Sequence, residues 1–175
     1  MTRAFVALGA NMPFEGAQGP ELLAKAVAAL AGAGLPPLAL SGVWRTEAWP
    51  RGSGQPDYFN AVVQVDSGER TPRQLYDLLT GIERRFGRER RERWAPRTLD
   101  LDILDVDALS GEFDGITLPH PRMRERAFVL APLAEIAPDW RHPEGGQSVA
   151  EMLAGLPPDY AYQRIGDLSP AREVG

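Results

Sequence analysis

Residues 97–104 read RTLDLDIL, with aspartate alternating with large aliphatic side chains. This period-2 pattern is typical of a β-strand that has one buried face. We therefore predict a strand over Leu99–Val106. Its aspartates, Asp100 and Asp102, would share one face and lie roughly 7 Å apart along the strand. The residues that would face the core are Leu99, Leu101 and Ile103.

The segment before this strand has the pattern of an amphipathic helix. Thr71 and Pro72 supply an N-cap and a first-turn proline. Apolar residues then recur at helical spacing until Gly87, which ends the helix. The apolar face consists of Leu75, Leu78, Leu79, Ile82 and Phe86.

Periodicity in the first half of the chain predicts three more strands and one more helix. The strands are Arg3–Leu8, Leu38–Thr46 and Tyr58–Val65, and the helix begins at Pro20. The resulting order, β-α-β-β-α-β, predicts an α+β fold of the ferredoxin-like type, with helices packed on an antiparallel sheet.

The rest of the chain predicts additions to this fold. We expect a hairpin around Gly111 and Gly115, short helices over Met123–Leu130 and Ser148–Leu153, and an irregular tail over residues 157–175. Two long loops, residues 47–57 and 88–97, join predicted elements. We expect both to be active-site loops, because long loops in compact domains are usually functional or disordered.

Length and composition favour one ordinary globular domain over residues 1–175. The formal net charge of −5 argues against a nucleic-acid partner, since such proteins usually carry a basic balance. No apolar run approaches the roughly 18 residues of a membrane span, so we expect no membrane partner. Cysteine is absent, which excludes disulfides and suits the cytoplasm. No obligatory protein partner is indicated.

The residues before the aspartate pair are rich in arginine. Four of these arginines and the two aspartates together resemble a polyphosphate site, because guanidinium groups suit phosphate oxygens and carboxylates suit Mg²⁺. Two other interpretations stay open on composition alone: a solvated strand face without metal, and a charged loop with ordinary surface ion pairs. The four arginines are Arg88, Arg90, Arg93 and Arg97.

Other polar and aromatic residues are candidates for ligand contacts. His120 lies between two prolines and could donate to a phosphate or serve as a structural hydrogen bonder. Asn60, in a mostly apolar strand, could read the edge of a heterocycle. Aromatic residues that could stack on a planar ligand or pack in the core are Trp44, Trp49, Tyr58, Trp94 and Phe128.

Four stretches resemble the hydroxymethyldihydropterin pyrophosphokinase family. The longest, residues 82–104, reads IERRFGRERRERWAPRTLDLDIL. The others are ALGAN at residues 7–11, WRT at 44–46 followed by QPDYFNAV at 55–62, and LPHPRMRERAFVLAPL at 118–133. The order and spacing of all four agree with the family pattern.

The resemblance implies transfer of a pyrophosphoryl group from ATP to 6-hydroxymethyl-7,8-dihydropterin in folate biosynthesis, with two Mg²⁺ ions bound by Asp100 and Asp102. Catalytic roles would fall to these aspartates with Arg88 and Arg97. The ATP-binding set would be Glu83, Arg88, Arg90, Arg93, Trp94, Arg97, His120 and Arg126. The pterin-binding set would be Thr46, Tyr58, Asn60, Asp100 and Phe128.

Two other functions remain to be weighed against this one. A different Mg-ATP-dependent transferase on the same scaffold would keep the aspartates and arginines but would not need the predicted pterin set. An RNA-binding domain of this topology would stack bases on sheet aromatics. Such a domain would present basic residues on the sheet, where this sequence places two aspartates.

Overall fold

The computed structural model describes residues 1–47, 52, 54, 56–87, 98–157 and 162–168. The strands are β1 (Arg3–Ala10), β2 (Pro37–Leu40), β3 (Gly42–Thr46), β4 (Tyr58–Asp66), β5 (Asp100–Val106), β6 (Gly111–Phe113), β7 (Ile116–Leu118) and β8 (Tyr162–Asp167). The helices are α1 (Pro20–Gly32), α2 (Pro72–Arg85), α3 (Ala127–Ile136) and α4 (Val149–Ala154), with a 3₁₀ turn at Met123–Glu125.

The main sheet is antiparallel and has the strand order β5-β1-β4-β3-β8, with β2 also paired to β4. β6 and β7 form a separate hairpin, as predicted around Gly111 and Gly115. The ferredoxin-like α+β expectation is confirmed: α1 and α2 pack on one face of the sheet. α3 packs on the other face, against β3 and β4. Of the helices in the described ranges, none is both long and apolar enough to cross a membrane.

Alternation along the strands builds one core on each face of the sheet. The core under α1 and α2 takes Val6 and Leu8 from β1 and Leu101 and Ile103 from β5. The core under α3 takes residues of the opposite parity, including Phe5, Val62 and Leu104. The predicted inward orientation of the β5 leucine and isoleucine side chains is therefore confirmed.

Local sequence signals explain the beginning and end of α2. Thr71 accepts a hydrogen bond from the Gln74 backbone N–H at 3.1 Å, and the Gln74 side chain accepts from the Thr71 N–H at 3.0 Å. This reciprocal capping box satisfies two N–H groups that the helix start leaves unpaired. Gly87, with φ of 80°, follows the helix in a left-handed conformation that glycine adopts without strain.

Three boundary predictions are wrong. The strand predicted over Leu38–Thr46 divides at Ser41 into β2 and β3. Here the Val62 N–H donates to the Ser41 hydroxyl at 2.9 Å, and this side-chain bond takes the place of a backbone hydrogen bond between the strands. The helix predicted to end at Leu130 runs to Ile136 with Pro132 inside it, where burial outweighs the lost backbone donor.

The third error concerns the tail. Residues 162–167, expected to be irregular, form β8 and pair with β3. The two predicted long loops fall largely on residues outside the described ranges.

The strand break makes a prediction about stability. Ser41 is 2% exposed, and Ser41→Ala leaves the buried Val62 N–H without its acceptor. We expect the free energy of unfolding to fall by about 1–3 kcal/mol. Urea unfolding measures it, with Thr117→Ala at the exposed position of β7 as the control. A loss no larger than that of Thr117→Ala would show that Ser41 does not hold the break.

Candidate active site

Residues on one face of four strands form a continuous row. Gly9 of β1 lies opposite Asp100 of β5 on one side and opposite Asn60 of β4 on the other. Asn60 in turn lies opposite Trp44 of β3. Directly opposed residues project to the same face of a sheet, so the row runs from the aspartates on β5 to Trp44 on β3, about 14 Å away.

The β5 end of this row carries the two aspartates. Asp100 and Asp102 are both half-buried and lie two residues apart on the face opposite Leu101. Within the described ranges, no group of three or more His, Cys, Asp or Glu side chains is arranged to hold a metal ion. Two carboxylates nevertheless fit Mg²⁺, which commonly takes one or two protein carboxylates and completes its octahedron with water and substrate phosphate.

His120 lies beside the same strand. Its backbone N–H donates to the Leu104 carbonyl at 2.8 Å. Burial lowers the pKa of His120, the Asp102 carboxylate raises it, and the Arg126 and Arg122 guanidinium groups lower it. Nδ1 accepts from the Arg122 backbone N–H at 3.2 Å, so the proton of the neutral ring lies on Nε2. Nε2 is then a donor for a ligand oxygen.

Arg126 approaches both parts of the site. Burial lowers its pKa, while Asp102 and Asp100 act in the opposite direction, so its charge lies near both carboxylates. Its guanidinium carbon is 5.7 Å from the centroid of the Phe128 ring, within cation–π range. The structure thus brings together Asp100, Asp102, His120 and Arg126.

The residues of the row on β4 and β3, Asn60 and Trp44, carry no charge. Asn60 is 6% exposed, and its Nδ2–H donates to Thr46 Oγ1 at 3.1 Å. A Cβ placed on Gly9 would lie 3.2 Å from Asn60 Oδ1. The glycine therefore leaves space in front of this acceptor, as strand glycines often do where a ligand approaches closely.

Two aromatic rings belong to this uncharged end. Tyr58 lies opposite Thr46 and has the same parity as Asn60, so it projects to the same face. Phe128 lies in the first turn of α3, the helix that packs on β3 and β4. Both rings are half-buried.

Among the described members of the predicted ATP-binding set, Glu83 is the one that lies on the α2 side of β5. It is 4% exposed, and its Oε2 accepts from the Leu101 backbone N–H at 3.0 Å. Leu101 separates the two aspartates, so Glu83 ties their strand to the end of α2. Arg88, Arg90, Arg93, Trp94 and Arg97 lie outside the described residues.

Sequence reasoning missed several residues that shape the site. Gly9 stands alone inside a strand pattern, a signal that could have indicated close ligand approach. Arg122, whose N–H selects the His120 tautomer, gave no local signal. Neither did Glu135 of α3, which accepts from Trp44 and Arg164 across large sequence separations.

Comparison with known sequences supports the resemblance. Residues 5–138 match the family model described as 7,8-dihydro-6-hydroxymethylpterin-pyrophosphokinase. A 2-amino-4-hydroxy-6-hydroxymethyldihydropteridine pyrophosphokinase of Methylorubrum extorquens is 43% identical over 160 residues, which cover 90% of this chain and 96% of the relative. The enzyme of the same name from Haemophilus influenzae is 35% identical over 171 residues, covering 97% and 100%.

Solved structures support the fold. The chain superposes on a Plasmodium falciparum HPPK-DHPS structure with pteroate, with a TM-score of 0.68 and 12% identity. The match covers 87% of this chain and 42% of that one, so the present chain spans about two fifths of the length of that structure. At this identity the likeness speaks to the fold alone.

The described site makes a prediction about its histidine. In the metal-free protein we expect His120 to titrate below its ordinary pKa of about 6.5, as a neutral Nε2–H tautomer at pH 7. Because the folded-state pKa is lowered, its stability contribution is full above the unfolded pKa. That contribution is lost as the pH falls through the folded pKa.

Long-range ¹H–¹⁵N NMR of the two histidines measures both properties. Asp102→Asn removes a charge that raises the pKa of His120, so that pKa should fall further. His142, whose pKa burial and Arg124 lower, is the internal control and should not respond. A His120 pKa at or above 6.5 in the wild-type chain would contradict the described environment.

Proposed function

The chain belongs to the 7,8-dihydro-6-hydroxymethylpterin-pyrophosphokinase family, and from that membership we propose how its own residues carry out pyrophosphoryl transfer. The reaction moves a pyrophosphoryl group from ATP to 6-hydroxymethyl-7,8-dihydropterin, in folate biosynthesis. The pterin hydroxymethyl oxygen forms a bond to the β-phosphorus, and the bond from that phosphorus to the α,β-bridging oxygen breaks. AMP leaves with the bridging oxygen, and the hydroxyl proton is released.

The row of residues across β5, β1, β4 and β3 is the observation that carries the assignment of the site. Its β5 end offers the carboxylates of Asp100 and Asp102 with the donors of His120 and Arg126. Its β3 end offers uncharged polar atoms and rings. A triphosphate with metal suits the first end and a pterin suits the second, so the hydroxymethyl group would meet the β-phosphate between them.

Asp100 and Asp102 would hold two Mg²⁺ ions in the proposed complex. These ions would neutralise the charge of the triphosphate. The family resemblance also puts Asp100 at the pterin. Glu83 would act from the α2 side of the sheet. Its hydrogen bond with the Leu101 backbone N–H would hold the β5 backbone between the two aspartates, and with it the separation of their carboxylates. His120 Nε2–H and the Arg126 guanidinium would donate to phosphate oxygens. Charge stabilisation and positioning of this kind account for most catalysis of phosphoryl transfer.

The pterin ring would lie between Tyr58 and Phe128. Asn60 would read its polar edge: Nδ2 is engaged by Thr46, so Oδ1, which faces the space at Gly9, would accept from ring N–H groups. Burying such donors without this acceptor would cost free energy, which gives the pocket a preference for the pterin edge.

The remaining assignments rest on the resemblance. Arg88 and Arg97 would assist the transfer, and Arg90, Arg93 and Trp94 would surround the nucleotide. We place the enzyme in the cytoplasm, consistent with its lack of cysteine.

The product of ATP tests the reaction. With Mg²⁺, ATP and 6-hydroxymethyl-7,8-dihydropterin, we expect AMP in amounts equal to the pterin diphosphate formed. Formation of ADP instead would contradict pyrophosphoryl transfer. Release of AMP without the pterin product would point to hydrolysis.

The acidic pair provides the sharper version of that assay. Asp100→Asn and Asp102→Asn should each lower the rate of AMP formation by at least roughly a hundredfold, the scale for removing one preorganised charge-stabilising group. The melting temperature without metal should not fall, because each change relieves repulsion between neighbouring carboxylates.

Asp114→Asn in the β6–β7 turn is the matched control, since Asp114 has a φ of 52° that asparagine tolerates. We expect wild-type rates from it. Near-normal turnover by either β5 variant would remove the metal assignment, as would a loss that simply follows lower stability.

The ring pocket gives a prediction about selectivity between the two substrates. Phe128→Ala should weaken pterin binding several-fold and much more than it weakens ATP binding, because ring stacking contributes about 0.5–1.5 kcal/mol beyond area burial. Titration calorimetry with each ligand measures the difference. Phe113→Ala, on the separate β6–β7 hairpin, is the control. Equal losses for pterin and ATP would assign Phe128 to the core instead.

A further inference from the structure

Three donors from two strands converge on the carboxylate of Glu135 near the end of α3. Its Oε1 accepts from the Gly42 backbone N–H at 3.2 Å and from the Trp44 indole Nε1–H. Its Oε2 accepts from Arg164 Nε at 3.0 Å. One side chain thus joins α3 to β3 and, through Arg164, to β8.

The strand positions make this junction tight. Arg164 of β8 lies opposite Trp44 of β3. A Cβ on Gly42 would lie 2.6 Å from the guanidinium atoms of Arg164, so the absence of a side chain at Gly42 lets Arg164 lie across β3. Asp167 Oδ1 accepts from Arg164 Nη2 at 2.7 Å and holds the other side of the guanidinium group.

The two elements that Glu135 joins directly, α3 and β3, each carry a residue of the proposed pterin pocket. α3 carries Phe128, seven residues before Glu135, so two helical turns place both on the same helix face. β3 carries Thr46, which accepts from Asn60 and lies opposite Tyr58. The distance between α3 and β3 therefore sets the distance between the two sides of the pocket.

We propose that Glu135, oriented by Arg164, is a positioning residue that fixes the spacing between Phe128 and the β3–β4 edge and thereby sets affinity for the pterin. This inference rests on the proposed function, since it names the ring as the ligand held in that space. β8 is then part of the active-site framework.

The geometry also predicts where the effect stops. The aspartates lie on β5, three strand spacings or about 14 Å from β3. β1 and β4, which lie between, are held by their own ladders and cores. Loosening the Glu135 junction should therefore alter pterin binding much more than the binding of Mg-ATP, which would touch α3 only through Arg126 at its N-cap.

The test compares KM for each substrate in the intact 175-residue chain. Glu135→Ala leaves the Gly42 and Trp44 donors unpaired, and we expect KM for the pterin to rise roughly fivefold or more, with KM for ATP within twofold. Arg164→Leu should shift KM in the same direction, and Arg164→Lys, which keeps a donor for Glu135, should restore most of the pterin affinity.

Two further variants keep the test decisive if Glu135→Ala does not fold. Trp44→Phe removes the indole donor and keeps a ring, and Gly42→Ala displaces the flexible end of Arg164. Both should raise KM for the pterin selectively. Glu151→Ala is the control, because Glu151 is an exposed residue of α4 whose carboxylate pairs at 3.8 Å with Arg141, outside the Glu135 junction.

Equal changes in the two KM values would overturn the inference. So would losses of pterin affinity that follow the melting temperature and that Arg164→Lys shows as strongly as Arg164→Leu. Either result would leave the proposed function standing. A wild-type chain that neither binds the pterin nor forms AMP would overturn both. Selective loss of pterin affinity with Lys rescue would establish Glu135 and Arg164 as positioning residues.

Discussion

The register of β1 against β4 and β5 fixes which side chains share the functional face. Gly9 is opposite Asp100 and Asn60 at once, so a single backbone position aligns the acidic and the uncharged halves of the site. A slip of one residue in β1 would turn Val6 and Leu8 away from α1 and α2, and the same slip in β5 would turn the aspartates toward those helices. The buried packing of these aliphatic residues under α1 and α2 therefore enforces the site geometry.

The chemistry of the site follows from how unevenly charge is distributed along this face. Asp100 and Asp102 would repel one another alone, and Arg126 lies close enough to both to offset their charge. At the other end, Asn60 and Thr46 satisfy each other and leave one acceptor for a ligand. A metal-bound polyphosphate and a neutral heterocycle have these same opposed requirements.

Local patterns predicted the elements whose determinants are local. The N-cap Thr71 with first-turn Pro72, and the alternation around Asp100 and Asp102, identified α2 and β5 correctly. The division at Ser41 depends on a hydrogen bond to Val62, twenty-one residues away, which no pattern in the strand itself indicates. β8 is held by pairing with β3 and by the contact of Arg164 with Glu135, and both partners are distant in sequence. The residues of β8 therefore show no strand pattern of their own.

The site residues could be named from sequence only through the family resemblance, because a lone pair of aspartates on a strand is compatible with ordinary solvated surface. The fold then supplied what the sequence could not: the row that links the pair to Asn60, the buried support from Glu83 and the tautomer of His120. Those relations are set by cross-strand pairing and tertiary packing.

A ternary crystal structure with Mg²⁺, 6-hydroxymethyl-7,8-dihydropterin and α,β-methylene-ATP, whose methylene bridge resists the transfer, tests the central claim most directly. The metal should lie on Asp100 and Asp102. The pterin ring should lie between Tyr58 and Phe128, with its polar edge at Asn60. The pterin hydroxymethyl oxygen should face the β-phosphorus from the β4 side. A ring bound elsewhere, or a triphosphate held away from β5, would contradict it.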